Sequence, residues 1–485
     1  MDYETRLEAL ALPSIVRYDV KALPLVLTVA AVGLLTGSSA SSQTTSVFAT
    51  RVFDTTFANG MRAVIARTPA VADRAPRAFI GLYLRYGVFA AARPELAHLV
   101  EHVTANNAPL TVNYTMPPNV TAYGSNAMTR ADFMSFWRTV DPALVPIMIP
   151  NRANRVAGVR NDSIIFVREV GRVAAETERK IARIAANGPL VSDVLPNAFF
   201  GPRIGLPALL DSIRGFERAT VLAQIERYVR PDNAVLVIAG DVDIDTTLAE
   251  VVKHLPAYPA RGAMPGVHGP PFVAYRGPVV VRDEHVTGAR IGIGFEVPSR
   301  TNEDYTAYLI LDQFLMGGRQ LDSDSAQVTR VLDSPLGRHL VASLGASNIG
   351  DGVSYDTDPP PLAIASPSYF AAYFDMPRAM PSDSIAAITL RAVRAALTTD
   401  LTDAAIADAK RQLARFYERW FLSPTLLALA DHLAAFALID NQPSRLNRLA
   451  SEIDAVSPDR VRRLARWYQQ RGHVRLAIVL PRDRE

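Results

Sequence analysis

The 485 residues are 49% hydrophobic, 20% charged and 8% aromatic, the make-up of a globular protein with ample apolar surface to bury rather than of a disordered or fibrous one. A net charge of only +3 argues against a nucleic-acid partner. The chain has no cysteine, which excludes disulfides, thiolate metal ligands and thiol catalysis and leaves His, Asp and Glu for any metal.

The first predicted element is the apolar run from Ala22 to Leu35, preceded by Arg17 and Lys21 and followed by the small residues "SSASSQ". That order predicts a secretory signal peptide over residues 1–43, cut near Ala40. The run is shorter than the ~20 residues a spanning helix needs. Export to a periplasm or beyond is therefore the expectation, with an uncleaved membrane anchor as the alternative.

Downstream, residues 44–256 and 272–485 look like two copies of one unit, joined over 257–271 by a Pro/Gly-rich linker within "LPAYPARGAMPGVHGPP". Each copy opens with a strand-like run, "RAVIA" or "PVVVRD", and continues with an alternating run, "AFIGLYLRYG" or "ARIGIGFEVP". Each closes with a helix, a polar turn and an apolar strand, "IERYVRPDNAVLVIAGDVD" against "LARWYQQRGHVRLAIVLPRD", which sets Tyr228 opposite Tyr468 and Asn233 opposite His473. Helical periodicity fills 94–105, 161–186, 214–229 and 243–254 in the first copy. In the second it fills 303–316, 384–398, 402–440 and 457–470, with Thr402 as an N-cap and Pro424 as an interruption. The fold class that follows is α+β, two tandem homologous units, each a mainly antiparallel or mixed β-sheet covered by helices.

The helix at 94–105 carries "AHLVEHV", in which His98 and His102 stand four apart with Glu101 directly before the second histidine. At about 100° per residue all three project from one face, the histidines roughly 40° apart, so one ion can reach both imidazoles. A solvated polar face is the plain alternative, but with 8 histidines in the chain a chance HxxEH is expected on the order of 1% of the time. A carboxylate completes such a site, and "VREVGRVAAETERK" offers Glu169 and Glu176 seven apart on one helical face, with Glu178 turned away.

"ELAHLVEHV" resembles the zinc helix of the pitrilysin/insulinase family of metallopeptidases, the inverzincins, among them mitochondrial processing peptidase and bacterial periplasmic relatives. "EVGRVAAE", "GSNAMTRADF", "YVRPDNAVLVIAGDVD" and "DAAIADAKRQL" are similar to further stretches of that family, so the resemblance spans roughly residues 50–482. It implies that His98, His102 and Glu176 bind one Zn2+ per chain, that Glu101 is the general base, and that Glu169 steadies a ligand from behind. It further implies a peptide substrate lying along an edge strand that holds Asn126 and Ala127. The second copy lacks an HxxEH. Its "NIGDGVSYD" keeps Gly352 and Tyr355 of the family's substrate-holding segment, but Asn348 stands at the arginine position. An arginine from another chain, in a homodimer or in a heterodimer with a homologous subunit, is the expectation. The resemblance thus implies a zinc-dependent endopeptidase; the competing expectations are a non-catalytic scaffold or assembly subunit of the same fold, and a peptide-binding protein without metal.

Overall fold

The alternating apolar runs of the two halves pair into two sheets in the computed structural model, which describes residues 51–482 except 72–73, 92, 108–121, 161, 203–204, 261–268, 318–331, 354–361, 363, 366, 379 and 424. The expected signal or anchor, most of the expected linker, Tyr355 and Pro424 lie outside the described residues. The first sheet holds β1 (Val52–Thr56), β2 (Arg62–Arg67), β3 (Ala78–Leu84), β4 (Ala122–Thr129), β5 (Met134–Val140) and β6 (Ala234–Gly240) in the order β1-β2-β6-β3-β5-β4. The second holds β7 (Val279–Asp283), β8 (Ala289–Glu296), β9 (Ser347–Val353), β10 (Tyr369–Met376) and β11 (Val474–Pro481) in the order β7-β11-β8-β10-β9.

Set β1 aside and the two orders coincide strand for strand. In both, one parallel pair joins the opening strand to the closing one, β2 to β6 and β7 to β11, and the remaining pairs are antiparallel. The fold is α+β with a duplicated topology, as the paired runs predict. The structural counterparts Tyr228 and Tyr468 are both buried, the first stacked 4.3 Å from Tyr86 and the second edge-on to Phe295 at 5.5 Å.

The helices begin where the capping residues stand. Asp162 accepts from the backbone N–H groups of Ile164 and Ile165 and starts Ser163–Asn187. Thr402 accepts from Ala405 and starts Asp403–Phe421. Two predicted helical spans are divided, the second where an interruption was expected. Residues 214–229 divide at Gly215 between Leu206–Arg214 and Arg218–Tyr228. Residues 402–440 divide into Asp403–Phe421 and Leu427–Leu438, with Leu426 left-handed at φ 56° ahead of the second helix. None of the described helices is long and apolar enough to cross a membrane.

Strand alternation sorts the core into layers. On one face of the first sheet Ala63, Ile65, Ile80, Leu82, Leu236 and Ile238 pack under the helices of the first half. The other face, with Val64, Phe79, Tyr83 and Val237, joins one cluster with the second sheet's Ile291, Ile293 and Phe370 and with the helix Leu427–Leu438. In return, Val191, Leu195 and Phe199 from the first half cover Tyr369, Ala371 and Ala477 of the second sheet. The described residues accordingly lie in one compact unit.

Candidate metal centre

Helix α1 (Pro94–Asn107) starts on a proline, whose missing N–H costs nothing in a first turn, followed by Glu95 at the positive end of the helix dipole. Its apolar stripe, Leu96, Leu99, Val100 and Val103, is buried in the first-half core. The opposite stripe is thereby turned toward helix α2 (Ser163–Asn187) and toward β4, and it carries His98, Glu101 and His102.

The loop leading into α1 is tied to the β4–β5 turn, with Val88 N–H donating to the Arg130 carbonyl at 2.8 Å and Phe89 N–H to the Ala131 carbonyl at 3.0 Å. Gly87 permits this approach, since a Cβ there would stand 2.4 Å from both carbonyl oxygens. The tie sets the height of α1 over the sheet.

The imidazoles of His98 and His102 lie 4.7 Å apart, centre to centre, and almost perpendicular at 83°. Glu176 reaches across from α2, its carboxylate 3.4 Å from His98 Nε2 and 3.9 Å from His102 Nε2. One donor atom from each of the three residues falls within 4.8 Å of the others. Burial and the neighbouring His102 push His98 down to about 4, so this imidazole is neutral at physiological pH and keeps a lone pair for a metal.

Behind His102, Glu169 is fully buried, with Oε2 3.4 Å from His102 Nδ1. Arg168 Nε and Arg172 donate to its Oε1 at 3.0 Å, and Asn106 Nδ2 donates to Oε2 at 3.2 Å. These three donors hold the carboxylate in place behind His102, and a proton on His102 Nδ1 leaves Nε2 facing Glu176. Glu178, two residues past Glu176, points outward to Arg214.

Glu101 is 6% exposed, and its Oε2 accepts from the Thr129 hydroxyl at 3.0 Å. Burial raises its carboxyl to about 7, against the pull of that hydrogen bond, which places its proton exchange near neutrality.

Asn126 and Ala127 lie in β4, the edge of the first sheet, and line an open cavity of about 620 Å3 with the triad. Asn126 turns its Oδ1 onto the following N–H, at 3.0 Å from Ala127 N. Asn348 lies in β9, the edge of the second sheet. Sequence reasoning missed Thr129, Asn106, Arg168 and Arg172 as supports of the site. The two arginines were legible at one before and three after Glu169 on the same helix; Thr129 was not, because its contact joins elements 28 residues apart.

The donor set can be tested against zinc. Ligands about 2.0–2.2 Å from a tetrahedral ion stand roughly 3.3–3.6 Å from one another. The Glu176 contacts at 3.4 and 3.9 Å are near that spacing, and two neutral imidazoles with one carboxylate leave a fourth position open. The residues present fit the ion.

No curated protein matches the chain. Residues 215–413 match the family model described as the Peptidase M16 inactive domain, a stretch that begins after Glu176 and so contains none of the triad. Among solved structures, the chain is similar to a protease from Helicobacter pylori, with a TM-score of 0.67, 16% identity, and coverage of 89% of this chain and 100% of that one. It is similar to a peptidase M16 inactive domain from Pseudomonas fluorescens, with a TM-score of 0.66, 14% identity, and coverage of 89% and 98%. It is also similar to a chain of complex III2 from Candida albicans, with a TM-score of 0.64, 16% identity, and coverage of 89% and 96%. Over 89% of its length the chain shares the fold of these structures, and residues 215–413 carry the sequence pattern of the M16 inactive domain.

Proposed function

We propose that this chain is a zinc-dependent endopeptidase that cuts peptides or unfolded polypeptide segments. The observation that carries the reading is the convergence of His98, His102 and Glu176 within 4.8 Å, beside a buried Glu101 that is not needed as a ligand.

His98 Nε2, His102 Nε2 and a Glu176 oxygen would hold the ion, and Glu169 fixes the His102 tautomer from the far side. Zinc held there supplies a Lewis acid that polarises a carbonyl and acidifies water. Glu101 uses the carboxylate oxygen not engaged by Thr129 to take a proton from water and hand it to the leaving amine. The outer edge of β4, the last strand of its sheet among the described residues, offers backbone N–H and C=O groups to an extended peptide, which aligns its carbonyl with the triad. A homologous subunit, supplying the arginine for which Asn348 stands, would complete the grip on the peptide backbone.

The test is Glu101→Gln. It is expected to retain one zinc per chain by metal analysis and to lose cleavage of a quenched fluorescent peptide by at least about a thousandfold. Undiminished cleavage by the purified variant would reject the assignment.

A second reading, a non-catalytic assembly subunit, draws support from the inactive-domain match and the likeness to a complex III chain. Its expected outcome is a chain that holds no stoichiometric zinc, cuts nothing, and purifies with a larger assembly.

A further inference from the structure

The cavity beside the triad has a basic wall that the proposed hydrolysis does not use. Arg138 projects from β5, Arg152 from the last turn of the helix Val145–Ala153, and Arg155 from the turn that follows it. All three line the same 620 Å3 cavity as His98, His102 and Glu176. We infer that Arg138, Arg152 and Arg155 form an anion subsite beside the triad that takes a carboxylate of the bound peptide, from an Asp or Glu side chain or from its C-terminus.

Charge and geometry carry this. Three arginines line the cavity against two carboxylates, Glu101 and Glu176, and both of those are engaged, one by Thr129 and the other by the histidines. Zinc in the triad adds two further positive charges, so a bound peptide meets a cavity with excess positive charge. The wall is also built. Arg155 lies over the Phe136 ring at 5.1 Å and donates to the Asn151 carbonyl at 3.0 Å, which holds its guanidinium in place. Burial, then repulsion from Arg152 and Arg138, lowers Arg155 to about 9, a strain that an arriving anion relieves.

The sheet register gives the reach. Arg138 pairs with Ser125, four residues along β4 from Thr129, whose hydroxyl marks the position of Glu101. At roughly 3.3 Å per residue this is about 13 Å, so the favoured anion falls within about four peptide residues of the scissile bond. A guanidinium fork recognises a carboxylate with paired, charge-assisted hydrogen bonds, which a neutral amide cannot reproduce.

The inference rests on reading the triad as a peptide-cleaving centre, and its test uses binding as well as turnover. The full chain carrying Glu101→Gln is titrated by calorimetry with peptides of about twelve Ala, Ser and Leu residues. These contain one Glu moved along the sequence, or Gln in its place, each with a free or an amidated C-terminus. Binding about tenfold tighter for Glu at one position, or for the free C-terminus, supports the subsite and names the source of the carboxylate. The advantage is expected to vanish with Arg155→Gln and Arg152→Gln, to survive in part with Arg155→Lys, and to shrink as salt rises from about 50 to about 500 mM. Where Arg155→Gln does not fold, Arg152→Gln supplies the answer. Equal binding of all peptides, or a preference untouched by the arginine variants, overturns the proposal. An arginine-dependent preference in a chain whose unmutated form cleaves nothing would reject the peptidase reading and leave the subsite standing. Cleavage indifferent to Glu or Gln at every position would do the reverse.

Discussion

At the scale of single residues, the shared face of His98 and His102 was legible because helical periodicity is short-range: positions four apart share a face whatever surrounds them. The choice between Glu169 and Glu176 was not legible from spacing alone, since seven residues put both on one stripe. Depth decided it. Glu169 is fully buried behind His102, while Glu176 is half-buried and meets both imidazoles. Glu169→Gln, isosteric but uncharged, is therefore expected to weaken zinc binding about 10–100-fold in a chelator competition while leaving the far-ultraviolet circular dichroism unchanged. Glu178→Gln, whose partner Arg214 is a surface residue, should change neither. A pH effect belongs at this scale as well. Burial pushes the Asp440 carboxyl up, but Arg300 and Arg445 outweigh it and hold it below its ordinary value. A carboxyl lowered on folding contributes stability that is complete above the unfolded value, about 3.9, and lost as pH falls through the folded one. Asp440→Asn should thus cost ~2 kcal/mol at pH 7 in urea unfolding and flatten the loss of stability below about pH 4.

At the scale of elements, the helix starts were readable because a cap is local. Thr402 and Asp162 satisfy N–H groups two or three residues away. The break at Gly215 was harder to read, because periodicity persists across a kink, whereas Pro424 marked the break ahead of Leu427–Leu438. The element that matters most to the site is the loop before α1, where no side chain signals a role and a glycine supplies clearance. Gly87→Ala would press a methyl group against the Arg130 and Ala131 carbonyls and lift the start of α1 from the β4–β5 turn. The expected cost is about 1–3 kcal/mol in stability. Because Thr129 and Glu101 sit on the two elements being parted, the loss of the proposed peptide cleavage should exceed the loss of folded protein, as measured by specific activity per folded chain.

At the scale of the whole molecule, the halves are not side-by-side copies. Helix Leu427–Leu438 of the second half lies on the first sheet, and Val191 to Phe199 of the first half lie on the second. Gly292 and Gly294 of β8 make room for this cover, because a Cβ at Gly294 would stand 2.4 Å from the Phe199 ring. Residues 44–256 expressed alone would expose Val64, Phe79 and Val237, and are expected to aggregate or bind a hydrophobic dye, whereas the full chain stays monodisperse in gel filtration. The buried pair Arg130–Asp431, 2.7 Å long with Tyr83 donating to the same carboxylate, ties the β4–β5 turn to that second-half helix. Asp431→Leu should cost about 3–5 kcal/mol, and adding Arg130→Met should recover most of it, because the larger penalty is an unpaired buried charge. By itself the sequence determined the strands, the capped helices and the HxxEH face, since alternation, capping and four-residue spacing are properties of neighbours along the chain. Tertiary structure alone decided which hydroxyl holds Glu101, how three arginines from separate elements come to line one cavity, and that each half covers the other's sheet, because contacts between distant segments leave no periodic trace in either segment.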